Sequence, residues 1–493
     1  MQLDPRTPVL VGVAAVQQRV DEPGGGLDAV ALMVRAAEAA GRDAGASAAG
    51  KMLGAVDRVF VPRGLWGAGD PGRVIAQRFG AAGARTMVAE IGVLQQTLLT
   101  HAETLIAAGE ADVIMVAGAE AAYRERRLRG SGRPALVHPL PPTPPDRVLS
   151  PIGDILHPME IERGLASPLR QYAVLETALR YAEELSVDEH ATRVAELWSR
   201  FADEAVDNPD AWHRSPVPAR EIAEFSAMNP MMARPYTRAH CSRAGVDQAA
   251  ALLLCSAEAA ERYGVPRDRW VFPCAAAESN HMVPLVARAP LQRSPGFAAV
   301  GSWLAAYTGV AAADATYIDL YSCFPSAVRV QIAELGLGER EDLTVTGGMS
   351  FAGGPLNSYA LHATVAMAKR LRAGEPDATG LVTCVSGMLT KQAGAMWSAT
   401  PPATPFHGED LSSRTAEAAI PCEVVGDYRG LGAVDGFTAT PGGDGPPLAV
   451  AVVAVPGGRR TVARTSDPEV VTAFGAGEWV GRHVHVDGAE LAL

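Results

Sequence analysis

Apolar positions along the chain fall into two alternating rhythms. Short Val- and Ile-rich runs, DRVFVP at 57 to 62, TMVAEIGV at 86 to 93 and DVIMVAGAE at 112 to 120, have the length and β-branched content of buried strands. Between the second and third, Leu94, Leu98, Ala102, Leu105 and Ile106 recur on one helical stripe that stops at Gly109, a candidate left-handed C-cap. Strand, helix and strand at this spacing predict a βαβ unit and place the start of the helix close to Gly92. The alternation returns in AAALLLCSAEAAERYG, TYIDLYSCF (316 to 324), a helix ending near Gly336, DLTVTGG (342 to 348), a helix from about Asn357 to Leu371, and TGLVTCVSG (379 to 387). Two such halves predict an internally duplicated α/β fold.

The intervening stretch, 121–235, changes character. Arg- and Pro-rich segments (RERRLRGSGRP, HPLPPTPPDR) precede amphipathic helices such as YAVLETALRYAEEL, which reads as an insertion packed over a sheet edge or a site. Its basic cluster Arg124, Arg126, Arg127 and Arg129 suits either a solvated face or a phosphate contact. SATPPATPFHGEDLSS reads as a linker. Beyond about 412, AIPCEVVG, LAVAVVAV, RRTVART and HVHVDG alternate with Gly and Pro turns, predicting a small all-β sandwich or barrel. The expected division is 1–285 for the first half, with 121–235 inserted, 286–405 for the second half, and 412–493 for the β appendix.

Composition narrows the function classes. With 493 residues the chain can bury a large core, and 43 basic against 55 acidic side chains give a net charge of −12, so no global positive field attracts nucleic acid or anionic lipid. The six cysteines, Cys241, Cys255, Cys274, Cys323, Cys384 and Cys422, form no C-x-x-C and read as reduced thiols of a cytoplasmic protein. No apolar run approaches the ~20 residues of a bilayer crossing, so no membrane insertion is expected. The N-terminal VLVGVAAV is short and lacks a basic lead, which does not suit a signal peptide. His483 and His485 alternate on one strand face with no Cys or acidic motif beside them, and His362 reads as packing, so no metal is expected.

Four phrases in order, AGEADVIMVAGAEA, LYSCF, GGMSFAGGP and TCVSGM, resemble the thiolase superfamily, in particular the type 1 thiolase-like proteins that carry an extra C-terminal β domain. The resemblance covers about residues 7 to 400. It implies a duplicated, layered αβαβα thiolase-like fold with an inserted loop domain. Thiolases run Claisen condensations through an acyl-cysteine whose thiolate sits at a helix N-terminus. The nucleophile position corresponds to Gly92, and the histidine of the family's Gly-His-Pro loop to Gly354, beside Gly353. Both reactive groups are missing. The family's acid/base cysteine matches Cys384, followed by the turn of Ser386 and Gly387, and Tyr321, beside Cys323, stands where the family orients water or an oxyanion. Arg243 in HCSRAGVDQAAA, where Gln248 replaces a family glycine, and His281 in ESNHM are weaker ligand candidates.

The resemblance thus implies a protein similar to acetyl-CoA acetyltransferases of lipid metabolism. It would need no cofactor and would bind coenzyme A, acyl-CoA or a related thioester, yet would not be an ordinary thiolase. The alternatives are a retro-aldol-type lyase on CoA thioesters, using Cys384 and Tyr321, and a non-catalytic ligand-binding or scaffold protein with a protein partner at the C-terminal domain. From Ser412 onward there are 6 Arg and no Lys against 10 Asp and Glu, a net of −4. Fluorescence titration with a single-stranded oligonucleotide at physiological salt should therefore show no saturable binding.

Overall fold

The computed structural model describes residues 3–45, 49–67, 69–132, 143–442 and 446–493. Part of the Pro-rich HPLPPTPPDR segment lies outside the described residues. In the first half, the Val- and Ala-rich runs become β1 (Pro8–Gln17), β2 (Arg58–Pro62), β3 (Arg85–Ala89), β4 (Val113–Ala121) and the short β5 (Arg147–Leu149). A hairpin in the insertion, β6 (Met231–Ala233) and β7 (Tyr236–Thr237), precedes β8 (Asp247–Ser256). The first sheet runs β1-β8-β4-β2-β3-β5, with β2 parallel to β3 and β4, and β8 antiparallel to β1 and β4. The second sheet contains β9 (Phe272–Ser279), β10 (Tyr317–Asp319), β11 (Thr379–Ser386), β12 (Lys391–Ser398) and β13 (His407–Asp410), in the order β10-β11-β12-β9-β13.

Two helices, Gln95–Ala107 and Tyr359–Ala373, touch strands of both sheets and form the middle layer, while Ala29–Asp43 covers the first sheet and Pro295–Thr308 the second. The five-layer αβαβα order follows from burial. Helix Gln95–Ala107 hides Leu98, Leu99, Ala102 and Ile106, and also Gln95, Gln96 and Glu103, because sheets pack on both of its sides; only its last turn, at Thr104 and Ala107, is exposed. Glu103 is fully buried with neither carboxyl oxygen hydrogen-bonded, and burial pushes its pKa up to about 8.

Three expectations change. DLTVTGG forms no strand: the buried Asp319 carboxylate accepts the N–H groups of Val345 and Thr346 (both 3.0 Å) and the hydroxyls of Thr344 and Thr346, so a side chain replaces the ladder. The Pro-rich linker contributes β13, parallel to β9. β9, which a boundary at 285 puts in the first half, pairs with β12 in the second sheet.

The C-terminal region is a closed barrel of β14 (Arg429–Thr440), β15 (Leu448–Val455), β16 (Arg459–Thr465), β17 (His483–Asp487) and β18 (Glu490–Ala492). It is not all-β, since helix Pro468–Ala476 packs on β14 with Phe474 edge-on to Phe437 at 5.4 Å. The barrel docks on the insertion. Thr177 Oγ1 donates to the Phe437 carbonyl and accepts its N–H, both at 3.0 Å, and Arg163 donates to the carbonyls of Val462, Gly488 and Gly426. His483 and His485 lie exposed on the outer face of β17.

The insertion is tied to the second half by Glu176. Burial raises its pKa, but Arg329, His190 and Tyr236 outweigh that and hold it at about 2. Arg329 belongs to the helix that follows Tyr321, so this ion pair fixes the insertion against the Tyr321 segment.

Glu103 yields a pH test. Its unfolded carboxyl ionises near 4.5 and its folded one near 8, so the fold loses stability as pH rises between those values. In Glu103→Gln that loss should vanish. Thermal melts at about pH 5 and about pH 8 should show a slope difference integrating to about 3 kcal/mol; equal slopes would show that Glu103 is ionised in the fold.

Candidate active site

The site begins at the turn from β3 into helix Gln95–Ala107. Gly92 has φ +106°, a backbone state that side chains rarely adopt, and a Cβ there would lie 3.1 Å and 3.2 Å from two Pro151 carbons and 3.5 Å from Ile155 Cδ1. The space for a nucleophile is therefore covered by the segment after β5, and Ile155 also packs over Gly387. The Gly92 carbonyl accepts from Ser386 Oγ at 3.1 Å and from Lys391 Nζ.

Ser386 and Lys391 face each other across the β11–β12 hairpin, whose tip holds Met388 and Leu389 at φ 52° and 62°. Such non-glycine conformations cost about 1–3 kcal/mol each and are kept by surrounding contacts. Lys391 is 1% exposed, and among the described residues no carboxylate lies within ion-pair distance of it. Burial lowers its pKa, against the opposing effect of Glu278 and Cys384. Glu278 accepts from Thr97 Oγ1 at 2.7 Å and Asn280 Nδ2 at 2.9 Å, and burial raises its pKa.

Cys384 is 1% exposed and packs with Leu94, Ala360 and Ala393. The backbone N–H groups of Gln96 and Gln95, the first residues of the helix, act on its sulfur to lower the thiol pKa, at a helix start where Leu94 offers no side-chain cap. Those N–H groups favour the thiolate, but burial outweighs them and pushes the thiol up to about 12. At neutral pH the group is a thiol.

Tyr321 joins the same locus. Its N–H donates to Thr383 Oγ1 at 2.8 Å, the Gln95 side chain acts on its phenol to lower the pKa, and its ring stands edge-on to Tyr359 at 5.7 Å. Burial, then the neighbouring thiols of Cys323 and Cys384, hold the phenol well above 10. Gln95 Oε1 accepts the Ala360 N–H at 2.6 Å, linking Tyr321 to the helix after the Gly-rich loop.

That loop, 347–355, is braced on its other side. Met349 N–H donates to Ser322 Oγ at 3.1 Å, Gly354 N–H to the Arg243 carbonyl at 3.0 Å, and Gln248 Nε2 to the Ala352 carbonyl at 2.8 Å. A Cβ on Gly354 would sit 2.0 Å from Ser242 Oγ, and one on Gly353 2.2 Å from Gln248 Oε1. Ser242 and Gln248 thus fill the direction a histidine would need.

The structure brings together Gly92, Cys384, Ser386, Gly387 and Tyr321. Gly353 and Gly354 face Gln248 and Ser242, Cys323 hydrogen-bonds Tyr172 of the insertion, and His281 lines a separate cavity with Arg288. His362 is buried, with its pKa lowered to about 3 by burial. Lys391, Gln95 and Glu278 were not foreseen. One signal existed for Lys391: the chain has three lysines, and this one lies in the apolar stretch LTKQAGAMW.

Arg243 stands on the exposed rim with Arg19, Arg126 and Arg238, none of which has an ion-pair partner among the described residues. The Arg19 guanidinium lies 5.0 Å from the Trp212 ring centre, and that of Arg126 lies 5.6 Å from Tyr123. Desolvation and the charges of Arg19 and Arg238 lower the Arg243 pKa.

No family profile matches the sequence, and no curated protein does. Among solved structures, the chain is similar over 99% of its length to 98% of a monomeric SCP2-thiolase-like protein type 1 from Mycobacterium smegmatis, at 28% identity and TM-score 0.84. Over 80% of its length it shares the fold of an Ltp2–ChsH2(DUF35) aldolase (18% identity, TM-score 0.57, 98% of that chain). The dimeric peroxisomal thiolase of Saccharomyces cerevisiae shares it to the same extent (16% identity, TM-score 0.56, 98% of that chain).

Closed packing around Cys384 sets a labelling order. Iodoacetamide should modify the half-buried Cys422 first, with Cys384 as slow as the buried Cys255. Peptide mass spectrometry of a native-state time course reads this directly, and early modification of Cys384 would mean the site is open.

Proposed function

The chain belongs to the thiolase-like superfamily, and from that premise we propose that it binds an acyl-CoA or related acyl thioester without passing through an acyl-cysteine. The carrying observation is the rim of Arg19, Arg126, Arg238 and Arg243: four exposed guanidiniums with no carboxylate at ion-pair distance among the described residues, in a chain of net charge −12. Like charges gathered without compensation repel one another, and a phosphate-bearing ligand relieves that repulsion. Arg243 also holds the Gly-rich loop, through its N–H to the Met349 carbonyl and its carbonyl to Gly354 N–H, so phosphate contact and the loop are mechanically joined.

The missing nucleophile supports the second part of the reading. Cys384 is buried as a thiol, and Gly92 is covered by Pro151 and Ile155. An ordinary thiolase reaction has no group here to carry the acyl chain. Tyr321 favours a second reading, a retro-aldol lyase on CoA thioesters, because its phenol stays protonated and able to donate to a developing oxyanion. The six free cysteines suit a reducing, cytoplasmic setting.

Calorimetric titration with coenzyme A and acetyl-CoA should give saturable binding that weakens with salt. The double variant Arg126→Ala, Arg243→Ala should bind at least tenfold more weakly with a flatter salt dependence, while acetoacetyl-CoA synthesis stays at background. Absence of binding, or an unaffected double variant, would contradict the thioester reading. Cleavage of a 3-hydroxyacyl-CoA that is abolished in Tyr321→Phe would select the lyase.

A further inference from the structure

A second cavity lies on the opposite face of the β11–β12 hairpin from Gly92. Side chains alternate along β12, so Gln392 points away from the side on which Lys391 meets the Gly92 carbonyl. The cavity measures about 30 Å³, more than a single water needs, and room for a small polyatomic ion.

Four buried polar atoms on residues of its wall have no hydrogen-bond partner among the described residues: Arg288 Nη1, His281 Nε2, Gln392 Oε1 and Thr415 Oγ1. Arg288 is 8% exposed, Gln392 4% and Thr415 3%. Leaving such groups unpaired costs about 1–3 kcal/mol each, so four around one void point to an occupant. Arg288 Nη2 donates to the Met388 carbonyl at 3.0 Å, and no carboxylate lies within ion-pair distance of its guanidinium among the described residues. Burial lowers its pKa to about 10, which still leaves it a cation at neutral pH. The rim arginine, Arg293, is already paired with Glu334.

Helix Pro295–Thr308, fourteen residues long, opens on the same void, with its cap Ser294 and its first residues Pro295 and Gly296 in the wall. Its positive dipole end adds to the Arg288 charge. The acceptor in the set restricts the ligand. Gln392 Nε2 donates to the Leu389 carbonyl at 2.6 Å, which fixes the amide so that Oε1 is left to accept. A ligand must therefore bring negative oxygens for Arg288 and His281 and one O–H for Gln392.

We propose that this cavity binds one small oxyanion that retains an O–H, of the hydrogenphosphate or hydrogencarbonate type. Arg288 and His281 donate to its charged oxygens, Gln392 Oε1 accepts its proton, and the Thr415 hydroxyl serves either way. The site stands independently of the thioester reading. It lies under the hairpin that carries Ser386 and Lys391, so its occupant would stiffen the turn that grips Gly92.

The test is thermal melting of the full chain titrated separately with phosphate and with bicarbonate, against chloride and nitrate at matched ionic strength, with calorimetry for stoichiometry. A saturable rise in Tm with phosphate or bicarbonate, at one site per chain, is expected, and whichever of the two gives it identifies the ion. Affinity should fall at least tenfold in Arg288→Met and in Thr415→Val, and should persist in Arg126→Ala, Arg243→Ala, which excludes the arginine rim as the binding place. Equal shifts from all four anions, no saturation in the wild-type chain, or a response lost with the rim variant would overturn the proposal. If Arg288→Met fails to fold, His281→Leu and Thr415→Val decide, and unchanged affinity in both would also overturn it.

Discussion

Helix Gln95–Ala107 lies between two sheets, so its first N–H groups have no water to bond. Leu94 supplies no side-chain cap, and the N–H groups of Gln95 and Gln96 act on the Cys384 thiol, lowering its pKa against the larger effect of burial. A buried backbone donor left unpaired costs about 1–3 kcal/mol, so what packs against this helix start is tightly constrained. The turn before the helix must then be tight, which sets Gly92 at φ +106° and turns its carbonyl towards Ser386 and Lys391. Tyr321 reaches the same helix end through Gln95. Cys384 packs against the start of this buried helix together with Leu94, Ala360 and Ala393.

Much of this was legible in the sequence. The Val-rich runs and the Leu94 to Ile106 stripe located the central strand–helix–strand unit, and four ordered phrases pointed to the superfamily. The misreadings share one cause, side chains doing the work of backbone ladders or the reverse. DLTVTGG has the composition of a strand, but Asp319 takes its donors, an interaction between positions 25 to 27 residues apart that no local pattern encodes. The Pro-rich linker hid β13 because HGED carries no apolar alternation and is held by β9 rather than by its own residues.

For the site, the glycines at 92 and 354 could be named from the sequence, but not what packs against them. Pro151 and Ile155 come from an irregular stretch after β5, Ser242 from a loop and Gln248 from the start of β8, both more than a hundred residues before Gly354. Lys391 was masked because it sits among apolar neighbours and completes no motif. Around both glycines unrelated segments fill the space, and the loops keep their mutual contacts through Gln95, Ser322 and Arg243.

The central claim is that ligand recognition at the rim has been kept while covalent acyl transfer has not. Intact-mass spectrometry after incubation with acetyl-CoA and acetoacetyl-CoA tests this most directly, run beside a native-mass measurement that retains non-covalent complexes. The account predicts a coenzyme A thioester complex under native conditions and an unmodified chain after denaturation. A covalent acyl increment mapped to any of the six cysteines, Cys384 above all, would contradict it.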